Sequence, residues 1–193
     1  MMARRTQVDA LVIGASAGGI DALLRLLPGL PPAPAYPVVI VLHLPDDRES
    51  RLAEVFRQHL TQPVNQAEDK AALQPGHIYL APPGYHLSIE NDRSFSLSQE
   101  EPVHFSRPAI DILMQSAADA YAPNLCGILL TGASHDGAAG LACIGQAGGL
   151  TIVQDPDDAD IATMPAAALR LRTPDHTLSL AAMRELLPAL ETM

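Results

Sequence analysis

The clearest chemistry in this sequence is offered by a serine set among glycines. Residues 14–18 read G-A-S-A-G, which matches the G-x-S-x-G pattern of a nucleophile elbow. A short apolar run at residues 9–13 precedes the motif, and apolar residues at helical spacing follow it over residues 20–27. Such a turn lifts the hydroxyl clear of the sheet, and the helix start offers N–H groups to an oxyanion. Ser16 is therefore a candidate nucleophile.

Two other interpretations of this glycine-rich turn stay open, namely an anion-binding loop and a plain structural turn. The dinucleotide-binding pattern G-x-G-x-x-G fails, because it requires a glycine where Ser16 stands. That pattern also requires an acidic residue at the end of the second strand, where the sequence has His43. These two departures favour the interpretation of Ser16 as a nucleophile over that of a dinucleotide-binding loop.

His43 and Asp136 each follow another predicted strand. Because the carboxyl ends of parallel strands line one crevice, Ser16 and His43 are expected on the same rim. His43 is either a general base or a structural histidine. Asp136 either orients that histidine, as the acid of a triad does, or caps a helix that begins near residue 137. The conventional hydrolase order, serine then acid then histidine, would instead use His176.

The remaining histidines give no metal-binding pattern. None of them shows H-x-x-x-H or H-E-x-x-H spacing, so the sequence predicts no metal and no cofactor. Residues 134–136 (S-H-D) cannot form a triad by themselves, because consecutive side chains point in divergent directions. The histidines concerned are His59, His77, His86, His104, His135 and His176.

The elements that must position these residues alternate between strand and helix. Strands are predicted at residues 9–13, 37–42, 125–131 and 150–153, and helices at 20–27, 48–60 (capped by 45–47), 108–122, 138–147, 164–170 and 178–190. Segments 77–80, 86–89 and 94–97 alternate in polarity and predict antiparallel hairpins. The pattern predicts an α/β fold: a three-layer sandwich with a mostly parallel sheet and a small antiparallel portion.

Composition narrows the class of protein further. The 193 residues suit one domain, and the net charge of −10 disfavours nucleic acid as a partner. The apolar stretch near the N-terminus is short and interrupted by glycines, so it predicts neither a signal peptide nor a membrane span. Cys126 and Cys143 lie in apolar segments and are predicted to be buried thiols, which fits a cytoplasmic protein.

Several motifs, in order along nearly the whole chain, resemble the CheB family of chemotaxis protein-glutamate methylesterases. Residues 13–19 are similar to the family's G-x-S-T/A-G-G segment, and residues 41–45 are similar to its Q-H-M-P segment. The other matching segments are 76–82 (G-H-I-Y-L-A-P), 130–132 (L-T-G) with 136–140 (D-G-A-A-G), 149–155 (G-L-T-I-V-Q-D) and 164–165 (M-P).

This resemblance implies a Ser–His–Asp triad at Ser16, His43 and Asp136. It also implies hydrolysis of glutamate γ-methyl esters on the cytoplasmic helices of chemoreceptors or of a related chemosensory protein, with deamidation of receptor glutamines by the same acyl-transfer site. Ala17, Gly18 and Ala133 are the expected oxyanion-binding or substrate-shaping residues. Residues 1–193 are expected to form a single methylesterase catalytic domain with no receiver domain, so that phosphorylation would not control it.

Three features of the sequence depart from the family. A receiver domain often precedes the catalytic domain in the family, and none is expected before the elbow here. Ala133 and Ser134 replace a Met-Gly pair, which bears on substrate fit or rate. Leucines flank His43, and residues 46–49 (D-D-R-E), which have a net negative charge, replace a Pro-Gly-Phe stretch, so an atypical target is expected. A catalytically degenerate receptor-binding module is the alternative. An active enzyme should lose activity at low pH, because the base must be neutral.

Overall fold

The computed structural model describes residues 7–44 and 51–192. The nine strands in this part of the chain are β1 (Ala10–Ala15), β2 (Val38–Leu42), β3 (Val64–Gln66), β4 (Ile78–Leu80), β5 (His86–Ile89), β6 (Phe95–Ser98), β7 (Leu125–Leu129), β8 (Leu150–Gln154) and β9 (His176–Leu178). The six α-helices are α1 (Gly19–Leu26), α2 (Leu52–His59), α3 (Ile110–Tyr121), α4 (Ala138–Gln146), α5 (Thr163–Leu171) and α6 (Leu180–Leu186).

Seven of these strands form one sheet in the order β3-β4-β2-β1-β7-β8-β9, and every pairing in it is parallel. The central strands are continuous apolar runs, as expected for strands that are buried on both faces. β5 and β6 pair separately as an antiparallel hairpin. The predicted fold class, a mostly parallel sheet with a small antiparallel portion, is confirmed.

The alternation of side chains along β1 divides the core into two layers. Leu11 and Ile13 face a cluster that includes side chains of α1, α2 and α6, such as Phe56. Ala10 and Val12 face the opposite cluster, which contains side chains of α3, α4 and α5 together with the β5–β6 hairpin. Burial of apolar surface on both faces of one sheet is what produces the three-layer sandwich.

The prediction for residues 77–80 was wrong in its pairing. This segment predicted an antiparallel hairpin, whereas β4 lies parallel to both β2 and β3 in the main sheet. Its three strand residues are all buried. Burial on both faces is typical of a strand in a parallel sheet, whereas alternation is typical of an antiparallel hairpin.

Two edge strands and one helix start also differ from the prediction. β3 and β9 were not predicted, and the helix predicted over 178–190 begins at Leu180, after β9, as α6. The predicted cap at residues 45–47 lies outside the described residues. Within the described ranges, no helix is long and apolar enough to span a bilayer. Cys126 is buried as predicted, while Cys143 is only half-buried.

Candidate active site

The elbow around Ser16 is held by one backbone hydrogen bond to the segment that follows β7 and by one within the turn itself. The Ser16 N–H donates to the Thr131 carbonyl at 3.0 Å, and the Gly19 N–H donates to the Ser16 carbonyl at 2.7 Å. Gly18 has a φ of 78°, which favours glycine, and a Cβ there would lie 2.8 Å from Cβ of Asp160. The chain can therefore turn from β1 into α1 only with this glycine, and Ser16 is left half-buried at the turn.

His43 stands beside the elbow because β2 is the neighbour of β1. Its N–H donates to the Ala15 carbonyl at 3.1 Å, which continues the strand pairing up to the catalytic rim. A groove of about 510 Å³ is lined by both Ser16 and His43, together with Ala17, Gly18, Gly19, Ile20, Asp21 and Leu44. The structure thus brings the two residues into one groove.

The imidazole of His43 is paired with Asp136 in a nearly water-free setting. Nε2 of His43 lies 2.8 Å from Oδ2 of Asp136, and the side chains are 12% and 0% exposed, respectively. Asp136 lies beyond β7, the strand on the other side of β1. An ionised carboxylate accepts this bond, so Nε2 carries the hydrogen and Nδ1 is left with a lone pair. The lone pair of Nδ1 is therefore available to accept a proton.

Asp136 is also a helix cap, but not of the helix that was predicted. Its Oδ2 and Oδ1 accept hydrogen bonds from the N–H groups of Ile110 and Asp111, at 2.6 and 2.9 Å, in the first turn of α3. The hypothesis that Asp136 caps the helix starting near residue 137 was therefore wrong. α4 starts after Gly137, whose own N–H is bound by Asp111.

Asp111 and Asp136 cap each other's helices. Oδ1 of Asp111 accepts from the N–H groups of Gly137 and Gly140 at 3.0 and 2.7 Å, at the start of α4. Oδ2 of Asp111 lies 3.3 Å from Nε2 of the half-exposed His104. Burial raises the pKa of the Asp111 carboxyl; the Gly140 N–H opposes this shift, and the charge of Asp136 adds to it. No motif in the sequence indicated Asp111.

Ser106 is a second residue at the site that the sequence did not indicate. Its Oγ lies 3.5 Å from Nδ1 of His43, the nitrogen opposite the one held by Asp136. Ser106 is separated from His43 by more than sixty residues, and no motif links the two segments. The contact exists because the chain before α3 folds back over the rim of the sheet.

The side chain of Thr131 connects the loop after β7 to the elbow and to the segment at Ile161. Its hydroxyl donates to the Ala17 carbonyl at 2.9 Å and accepts from the Ile161 N–H at 2.9 Å. The next residue, Gly132, leaves no room for a side chain, since a Cβ there would lie 2.9 Å from Cβ of Ser16. The residues after β7 therefore fix the position of the serine.

Ala17 and Ala133 are both exposed beside Ser16, on the two loops that meet at the rim. The backbone N–H of neither residue donates to any group in the described ranges 7–44 and 51–192. These two N–H groups are thus without an acceptor among the described residues. Gly18 contributes through its left-handed backbone, which sets the start of α1.

The structure separates His176 from the site. It opens β9, at the far edge of the sheet, three strands from β1. One group of possible metal ligands occurs in the described part of the chain: His104, Asp111 and Asp136, whose ligand atoms lie within 4.8 Å of one another. Both carboxylates of this group already accept backbone N–H bonds. Their lone pairs are engaged in holding α3 and α4.

A parallel α/β sheet that carries a serine elbow beside a His–Asp pair places the chain in the hydrolase class. The CheB methylesterase family model matches residues 11–187. The crystal structure of the Thermotoga maritima CheB methylesterase catalytic domain superposes with a TM-score of 0.88 at 30% identity, covering 93% of this chain and 97% of that one. The chain therefore belongs to the CheB methylesterase family of hydrolases.

Two relatives are similar in sequence to nearly the whole of this chain. A Leptospira interrogans protein, named as a protein-glutamate methylesterase/protein-glutamine glutaminase, is 44% identical over 178 residues, which is 92% of each chain. Protein-glutamate methylesterase/protein-glutamine glutaminase 1 of Xanthomonas campestris is 39% identical over 189 residues, or 96% of this chain. The match covers only 52% of the Xanthomonas protein, so the chain spans about half the length of that relative.

Proposed function

We propose that this chain is a protein-glutamate methylesterase that acts through Ser16, His43 and Asp136. The observation that carries the proposal is the 2.8 Å bond between Nε2 of His43 and the fully buried Asp136, made beside a groove that Ser16 also lines. The names of the relatives supply the substrate, a glutamate γ-methyl ester within a protein.

The tautomer of His43 defines the direction of proton transfer. Asp136 accepts the Nε2 hydrogen, so Nδ1 acts as the base that removes the hydroxyl proton of Ser16. Oγ of Ser16 then attacks the γ-carbonyl carbon, and the carbonyl electrons move to oxygen. The proposed donors to this oxyanion are the N–H groups of Ala17 and Ala133, and the support is that neither N–H donates to another described group. In the structure, Ser16 Oγ makes no hydrogen bond to a described residue, as is common before substrate binds.

Collapse of the tetrahedral intermediate releases methanol, which takes its proton from the His43 imidazolium. Water then attacks the γ-glutamyl–Ser16 ester and gives up a proton to Nδ1. Cleavage of the acyl–oxygen bond frees the glutamate carboxyl and restores the serine hydroxyl. With a glutamine substrate, the same steps release ammonia, which is why one site can serve both reactions.

Methylated cytoplasmic helices of chemoreceptors, or of a related chemosensory protein, are the proposed partner, and the cytoplasm is the proposed location. The support is the family membership of the chain together with the absence, in the described ranges, of a helix able to span a membrane. No step of the reaction needs a metal or a cofactor, because Nδ1 supplies the base and backbone N–H groups supply the oxyanion site.

The experiment compares the wild-type chain with Ser16→Ala, using methanol release from a methylated chemoreceptor fragment. Loss of Ser16 should lower kcat by several orders of magnitude, because the nucleophile of a triad cannot be replaced by its neighbours. Ser96→Ala, in the β5–β6 hairpin, is the matched control and should keep wild-type activity.

A fluorophosphonate probe separates this proposal from the rival, a degenerate module that binds a receptor without hydrolysing it. An activated serine is labelled by the probe, whereas an inert one is not. Labelling of the wild type but not of Ser16→Ala supports the enzyme. A wild-type chain that stays unlabelled and releases no methanol would establish the binding module instead.

A further inference from the structure

A tight turn at residues 103–106 borders the active site. Val103 and Ser106 exchange two backbone hydrogen bonds, of 3.1 and 2.9 Å, and close the turn. The two residues between them, His104 and Phe105, have φ values of 49° and 62°. Non-glycine residues with positive φ are uncommon, and a bulky aromatic residue is among the least suited to this conformation. The turn is therefore strained, and strain of this kind often marks a functional segment.

Phe105 is fully exposed at the tip of this turn. The fold gains nothing from its ring, because no apolar surface of the phenyl group is removed from water. Glycine or asparagine would fit the backbone better. A fully solvated aromatic side chain in a strained position is thus unexplained by folding, while aromatic residues are enriched where proteins contact partners.

The turn is tied to His43 on one side of Phe105 and to the helix-capping Asp111 on the other. Ser106 Oγ lies 3.5 Å from Nδ1 of His43, and His104 Nε2 lies 3.3 Å from Oδ2 of Asp111. Phe105 is therefore held one residue away from the nitrogen that accepts the Ser16 proton in the proposed mechanism. The turn that carries Phe105 therefore borders His43, which lines the same groove as Ser16.

Two other exposed apolar side chains belong to the surroundings of the site. Ile161 is bonded through its backbone to Thr131 and Gly132, beside Ser16. Tyr85 precedes His86, whose ring bonds the Ala109 N–H and the Glu101 carbonyl on either side of the turn. In the described ranges, the large exposed apolar residues are these two, Phe105 and Leu171. Ile161 therefore lies beside the residues that hold Ser16, and Tyr85 adjoins a histidine that is bonded on both sides of the turn.

We propose that Phe105 is the apolar anchor for the segment of the target protein that carries the glutamyl ester, and so a residue that determines specificity. The identity of that segment rests on the proposed function. A glutamate-bearing segment is acidic, and this chain has a net charge of −10, so the overall charges oppose association rather than promote it. An apolar contact can supply affinity, because a phenyl ring buries a large area when a partner covers it.

The test measures binding without turnover. A methylated chemoreceptor fragment is titrated into Ser16→Ala and into the double variant Ser16→Ala with Phe105→Ala. Loss of a buried aromatic anchor should raise Kd about tenfold or more. In the wild-type background, Phe105→Ala should raise KM by the same factor and leave kcat at saturation within about twofold, since the ring touches no reacting atom.

Two further variants separate the apolar contact from the shape of the turn. Phe105→Asn fits positive φ but lacks the apolar ring, so it should bind as poorly as Phe105→Ala. Phe105→Leu keeps an apolar side chain and should recover most of the affinity. The thermal midpoint of each variant should stay at or above that of the wild type, because the ring is fully exposed.

Three results would overturn the inference: an unchanged Kd in Phe105→Ala, equal losses in the leucine and asparagine variants, or no binding of the methylated fragment by Ser16→Ala at all. Failure of the proposed function is recognised separately, by the absence of fluorophosphonate labelling and methanol release in the wild type. A binding module without catalysis would still show the Phe105 effect on Kd.

Discussion

The carboxylate of Asp136 makes three hydrogen bonds, and they serve two purposes. One goes to His43 and the other two come from the first turn of α3. The role of a triad acid and the capping of a helix, which is α3 and not the predicted α4, are therefore compatible in one side chain. Carboxylate oxygens have enough lone pairs for all three partners. The helix N-terminus also favours the negative charge that a histidine partner needs.

Asp136→Asn tests both roles of this side chain, the pairing with His43 and the capping of α3. The amide cannot accept from every present donor, so kcat should fall by about 10⁴-fold if the triad analogy holds. The free energy of unfolding should fall by about 1–3 kcal/mol, because a buried N–H of α3 loses its acceptor. Methanol release, measured well below the melting temperature, and urea unfolding report the two effects separately. A less stable variant with an unchanged rate would leave Asp136 with the capping role alone.

At the scale of elements, Asp111 and Asp136 join α3 and α4 by exchanging caps. Asp111 makes two hydrogen bonds to the start of α4, and its buried carboxyl has a raised pKa. A folded state with the raised value binds a proton more tightly than the unfolded chain does. Ionised Asp111 is therefore a cost to folding at neutral pH. This cost begins to decrease as the pH falls through the raised pKa, and it is absent below 3.8, the ordinary value.

Asp111→Asn should remove this dependence on pH. The amide oxygen still accepts the bonds from Gly137 and Gly140, but the side chain no longer titrates. As the pH rises from 3.8, the ordinary value for this group, through the raised value, the free energy of unfolding of the wild type should fall relative to that of the variant. Above that window the difference should be constant. Urea unfolding of both proteins from pH 4 to 7 gives the difference, and a value that does not vary with pH would contradict the assignment.

The sequence predicted the central elements well and the edges poorly. The central strands are apolar runs bounded by glycine or proline, so the local sequence is enough to locate them. These strands are β1, β2, β7 and β8. β3 and β9 have only three residues each, too few for a period to be recognised, and β4 was assigned the wrong pairing. Edge strands of this length are placed by the strands they pair with, which a single sequence does not reveal.

The same distinction applies to the site. Ser16 and His43 follow predicted strands directly, so the order of the strands brings them into one groove. Asp111 and Ser106 were missed because their partners are distant in sequence and no motif connects them. The catalytic roles of Ser16, His43 and Asp136 stay predictions, as do those of Ala17, Gly18 and Ala133.

For the molecule as a whole, we expect the net negative charge to oppose the approach of the proposed target. The chain carries 22 acidic and 12 basic residues, and Asp21 and Asp160 lie at the elbow itself. A target rich in glutamate is repelled over distances comparable with the Debye length. That residues 1–193 form a single catalytic domain without a receiver domain also stays a prediction at this scale.

Salt should therefore promote binding of the target. The Debye length falls from about 30 Å at 0.01 M ionic strength to about 8 Å at 0.15 M, which screens the repulsion between two acidic surfaces. KM for a methylated chemoreceptor fragment should fall severalfold over this range, while kcat stays constant, because the buried His43–Asp136 pair is screened far less. A small uncharged methyl ester is the control, and its KM should not change with salt. The opposite result is a KM for the fragment that rises with salt. It would show that a basic patch of this acidic chain attracts the target. The reason for assigning the affinity to an apolar contact at Phe105 would then be lost.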